Sequence, residues 1–88
     1  MPTGPERDNK QFSCGTFGVW AYAERDASTL KWRVREIETL NTSDRLILAR
    51  MHAVFDELNV ARFESASAMW DVILRTLKTT WPAARQII

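Results

Sequence analysis

The sequence predicts an α+β domain, an antiparallel sheet of three to four strands with two helices packed on one face, in the order βββαβα. Two observations carry most of this. In "LKWRVRE" the residues Leu30, Trp32 and Val34 alternate strictly with Lys31, Arg33 and Arg35, which is the period of a strand with one buried and one wet face. Further on, two stretches repeat their apolar residues at three- and four-residue spacing, the period of an amphipathic helix.

Residues 1–10 combine Pro2, Gly4 and Pro5 with charged side chains and no large apolar group except the initiator, so they read as a flexible tail, and the domain is expected over 11–88. A short extended run, "QFSC", comes next, and Gly15 and Gly18 bracket Thr16 and Phe17 as a turn would. "VWAYAE", residues 19–24, is the first clear strand. The linker "RDAST" has the length and composition of a hairpin connection, so this strand and the alternating run after it are expected to pair antiparallel.

The polar cluster Asn41, Thr42 and Ser43 offers caps for a helix with Asp44 in its first turn, where the helix dipole favours negative charge. Ile47, Met51, Val54, Phe55 and Leu58 form its apolar stripe, and Asn59 is a natural stop. Residues 60–64 read as a short strand. Ser65 or Ser67 then caps a second helix whose stripe is Met69, Trp70, Ile73, Leu77 and Trp81, ended by Pro82. The four tryptophans are expected to carry much of the core.

With 88 residues there is room for one domain. Charged residues make up 26% of the chain and the formal net charge is +1, so any attraction to nucleic acid or an anionic membrane must be local. No apolar run is long enough to span a bilayer. A single cysteine, Cys14, and an amino terminus without the apolar segment of a secretory signal point to the cytoplasm.

"TSDR" at 42–45, "GVWAYAE" at 18–24 and "FESASAMWDVI" at 63–73 resemble, in that order, the turn opening the first helix, the second strand, and the strand end leading into the second helix of the ribonuclease H family. The resemblance spans residues 11–80. It implies that family's fold, whose chemistry needs clustered carboxylates to hold two metal ions. Only Glu64 falls on one of the family's acidic positions. "QFSCG" carries no aspartate, and Ile47 stands where the helix glutamate would be, so the resemblance implies a chain unable to cleave nucleic acid.

Other chemistry is poorly supplied. His52 and Cys14 are each unique, too few for a zinc site, and no phosphate-binding glycine loop or nucleophile elbow is present. No catalytic residue, metal or cofactor is therefore expected. The candidate binding residues are Lys31, Arg33 and Arg35, flanked by Trp20 and Tyr22 if the neighbouring strand turns them to the same face. Such a stripe suits a solvated edge, docking on a protein, or an aromatic and cationic platform for nucleic acid. The sequence thus predicts a small non-catalytic interaction or inhibitor protein acting on a larger protein or nucleoprotein partner, with a ribonuclease H-like module that holds RNA or RNA–DNA hybrid as the alternative. The carboxyl-terminal "ARQII" is expected to fold back on the core or meet a partner, a second copy included.

Overall fold

The computed structural model describes residues 6–87. Three strands form an antiparallel meander: β1 (Glu6–Ser13), β2 (Gly18–Arg25) and β3 (Trp32–Leu40). They are followed by helices α1 (Arg45–Asn59) and α2 (Ala66–Thr80) and a two-residue strand, β4 (Arg85–Gln86). The sheet order is β3-β2-β1-β4. Between the helices, Phe63 makes an isolated antiparallel bridge to Trp32, which is what the strand expected at 60–64 amounts to. Counting that bridge, the order is βββαβα, with β4 added at the opposite edge.

Residues 6–10 do not form a tail. They are the first half of β1, paired with β2 from Glu6↔Arg25 to Lys10↔Ala21; residues 1–5 of that expectation lie outside the described residues. Register explains how a charged segment becomes a strand. Asp8, Lys10 and Phe12 pair with Ala23, Ala21 and Val19, so all three lie on the helix-bearing face, and Phe12 is fully buried. Asp8 meets a matching donor there: Trp70 of α2 donates its indole N–H to Asp8 Oδ2 at 2.9 Å. Glu6 at the strand's start forms an ion pair with Arg25.

Strand β3 runs four residues beyond the alternating stretch because of a bulge. Ala23 pairs with Val34 and Tyr22 with Glu36, which leaves Arg35 as the extra residue. The core-facing positions are thus Trp32 and Val34 before the bulge and Ile37 after it, a spacing that breaks the alternation in the sequence without breaking the face. Leu30, expected beside Trp32, sits instead in the preceding turn with φ of 62° and is exposed. The carboxylate of Asp26 organises that turn, accepting from the Ser28 N–H and hydroxyl and from the Thr29 N–H.

The core lies between sheet and helices. Val19, Ala21, Ala23 and Val34 meet Met51, Val54 and Leu58 of α1 and Met69, Trp70, Ile73 and Leu77 of α2. Asp44 itself is the cap of α1, accepting from the N–H groups of Leu46 and Ile47, and Ser65 caps α2 by accepting from Ala68. Trp81 follows the last turn of α2 and packs edge-on against Phe17, ring centroids 5.2 Å apart. Three of the tryptophans, Trp32, Trp70 and Trp81, pack against or within the core; Trp20 does not. The carboxyl-terminal segment joins the sheet edge and does not bury its isoleucine in the core: Gln86 and Arg85 pair with Phe12 and Ser13 and the Ile87 N–H bonds to Gln11 O, while the Ile87 side chain is exposed and Ile88 lies outside the described residues. Among the described residues no helix is long and apolar enough to cross a membrane.

Candidate functional site

The sheet face away from the helices is set by the parity of the strands. Trp20, Tyr22 and Glu24 of β2 alternate with buried Val19, Ala21 and Ala23, and so point outward. Arg33 pairs with Glu24, Glu36 with Tyr22 and Glu38 with Trp20, which places them on the same outer face; Asn9 and Gln11 of β1 complete it. Trp20 and Tyr22, two positions apart, stack with ring centroids 5.8 Å apart and planes inclined by 11°. The Trp20 indole N–H donates to Asn9 Oδ1 at 3.0 Å, and the Tyr22 hydroxyl to Glu38 Oε1 at 3.2 Å. Each ring is therefore held at its polar tip while part of its apolar body stays open to solvent. Partial burial, followed by the hydrogen bond and charge of Glu38, pushes the Tyr22 phenol above its ordinary pKa.

Of the candidate binding residues, the fold gathers Trp20, Tyr22, Arg33 and Arg35 on this face and leaves Lys31 out. Lys31 precedes the strand, and its Nζ lies 3.4 Å from Glu64 Oε2 beyond the β3 edge. Both arginines converge on one carboxylate: Arg33 Nη2 donates to Glu24 Oε2 at 3.0 Å, and Arg35 Nε lies 3.7 Å from Glu24 Oε1. The second distance is an ion contact too long for a hydrogen bond, and Arg35 Nε is buried without a hydrogen-bond partner. The row expected to be cationic is thus partly neutralised. Glu36 and Glu38, exposed further along β3, take part in no ion pair among the described residues. Sequence parity could group these side chains, but nothing in it foretold that Glu24 would serve both arginines.

The remaining candidates for chemistry are dispersed. Cys14 is buried at the end of β1, and burial raises its thiol pKa to about 11, so it is held as an unreactive thiol at neutral pH. His52 is exposed on α1, 4.0 Å from Asp56. Glu64 is exposed in the connection to α2, while Ile47 lies on α1 against the core. Among the described residues no three His, Cys, Asp or Glu side chains come close enough together to hold a metal ion.

Comparison with protein-family models, with curated proteins and with solved structures finds no match to this chain.

Proposed function

We propose that the chain is a small, non-catalytic interaction protein, an adaptor or inhibitor that docks on a larger protein through the helix-free face of its sheet. The observation that carries this is the stacked Trp20–Tyr22 pair, held rigid on an open face beside Arg33. Aromatic residues and arginine are the side chains enriched where protein interfaces draw their affinity. A stack fixed before binding also loses little conformational freedom when covered. Arg33 and Arg35 flank the pair, already oriented by Glu24, and a partner carboxylate would compete for or share their remaining donors.

The ribonuclease H-like reading, a module that holds RNA or RNA–DNA hybrid without cutting it, draws on the same aromatic pair. Charge favours the protein partner: Glu24, Glu36 and Glu38 share the face with Arg33 and Arg35, so phosphate would meet more acids than bases.

The test is affinity capture from lysate of the native host, with wild-type protein beside Trp20→Ala and an Arg33→Gln, Arg35→Gln variant. Circular dichroism should confirm that both variants remain folded. A specific protein captured by wild type and lost with both variants is the expected result. Equal recovery on all three overturns the assignment of this face. Titration with RNA–DNA hybrid at two salt concentrations decides the alternative, since tight binding that weakens steeply with salt would replace a protein partner by nucleic acid.

A further inference from the structure

The exposed edge of β3 is sealed along one half and open along the other. Backbone groups in an antiparallel sheet alternate between the two neighbouring strands. Gln11 directs its carbonyl to Ile87, so its cross-strand partner Trp20 must address β3, and Glu38 opposite Trp20 must address β2. Ile37 and Thr39 therefore turn their N–H and C=O groups outward. The same alternation turns Trp32 and Val34 outward before the bulge, and there the groups are used. Trp32 exchanges both its bonds with Phe63, at 2.8 and 2.9 Å, and Val34 O accepts from Asn59 Nδ2 at 3.1 Å. The bulge at Arg35 marks the boundary, and no backbone partner faces Ile37 or Thr39 among the described residues.

Beside this open half runs a groove of about 300 Å³ between β3 and α1, lined by Ile37, Thr39, Leu48, Met51, His52 and Phe55 together with Arg35 and Glu36. Its walls combine the apolar Ile37, Leu48, Met51 and Phe55 with polar side chains, and Leu48 is exposed on the helix side. On the opposite face of the same strand stretch stand Glu36 and Glu38.

We propose that residues 36–40 receive an extended segment of another protein as an added antiparallel strand, one that alternates small apolar and basic residues. The apolar residues, opposite Ile37 and Thr39, exchange backbone hydrogen bonds with them and enter the groove. The basic residues between them face Glu36 and Glu38, where opposite charges across a strand pair attract. A second copy of this chain fits poorly. Self-pairing about Ile37 sets Glu36 against Glu38, self-pairing about Glu38 sets that residue against itself, and self-pairing about Thr39 runs off the strand after Leu40. This site borders the aromatic face, with which it shares Glu36 and Glu38, but its backbone bonds and groove belong to the β3 edge, which the peptide test reads by itself.

The probe is the blocked pentapeptide Lys-Val-Lys-Val-Lys, added to the isotopically labelled full chain and followed by backbone amide NMR and hydrogen exchange. Controls are Glu-Val-Glu-Val-Glu and a lysine peptide with both valines N-methylated. The expected result is saturable shifts centred on Glu36–Leu40, slowed exchange at Ile37 and Thr39, and loss of both on N-methylation. Glu36→Lys with Glu38→Lys should invert the preference between lysine and glutamate peptides, by about tenfold or more. Leu48→Glu, at an exposed groove position, should weaken the lysine peptide. Absence of shifts at millimolar peptide, or binding indifferent to N-methylation, overturns the proposal. So does concentration-dependent protection of Ile37 and Thr39 without peptide, which would show a second copy covering the edge.

Discussion

Asp8→Ala tests how the amino-terminal segment is held. Asp8 is half-buried on the helix-bearing face of β1, and its carboxylate accepts the indole N–H of Trp70, a residue 62 positions away whose side chain is 5% exposed. Removing the acceptor leaves that N–H without its partner in a part-buried site. Hydrogen bonds to charged groups contribute about 1.5–3 kcal/mol, and partial access of solvent to Asp8 brings the expected loss to about 1–2 kcal/mol. For a domain of this size that corresponds to a fall in Tm of about 4–16 °C. Asp8→Asn keeps a carbonyl acceptor and should restore at least half of the loss. The assay is urea unfolding followed by far-ultraviolet circular dichroism and tryptophan fluorescence, with the slope checked for constancy. A change below about 0.5 kcal/mol, the range of ordinary surface substitutions, would mean that residues 6–10 are not docked and that β1 begins later.

Other substitutions probe the helices and the core. Asp44→Ala removes the acceptor for Leu46 and Ile47 and should cost about 1 kcal/mol, while Ser43→Ala should cost close to nothing; equal effects in thermal melts would refute the assignment of the cap. Ile73→Ala, at a fully buried position between α2 and the sheet, should cost about 2–5 kcal/mol by urea unfolding, against about 0.5 kcal/mol or less for Val60→Ser on the surface. Cys14 should resist thiol reagents at pH 8 until the chain unfolds; labelling of the native protein at the rate of a free thiol would contradict its burial. Its folded pKa of about 11 lies above the ordinary value of 9.0, so the folded state keeps the proton longer than the unfolded one. The resulting stability is present in full below about pH 9 and is lost as pH rises towards 11, an effect that Cys14→Ala should remove from a pH series of melts.

The parts of the fold visible in the sequence are those where one physical requirement dominates. The stripes of α1 and α2 follow from burial on a single helix face, and Trp32 and Val34 follow from burial on a single strand face. The first half of β1 escaped notice because its helix-bearing side holds Asp8 and Lys10, and hydrophobicity cannot reveal a carboxylate whose partner is an indole 62 residues away. The alternation that marks β3 stops before the strand does because the bulge changes the interval between core residues from Val34 to Ile37. β4 is two polar residues long and leaves no periodic trace. The candidate surface was legible as far as parity reaches: Trp20 and Tyr22 lie two residues apart, and Arg33 pairs with Glu24, two residues further along the same side. Lys31 was misplaced because Leu30 takes a left-handed conformation, so that the strand starts later than the alternation. The sharing of Glu24 by both arginines is a matter of side-chain reach, which parity does not encode.

The pairing of β4 with β1 ties one end of the described chain to the other. As the protein emerges from a ribosome, β1, β2 and β3 become available early, but the strand that flanks β1 and the helix that grips Asp8 come last. Until then Gln11 and its neighbours present a bare flank to whatever else is nearby, and the nascent sheet is vulnerable on both sides at once. The sheet therefore waits on Arg85 and Gln86 for its fourth strand, and a polypeptide interrupted shortly before Arg85 would keep that second flank uncovered for its whole lifetime.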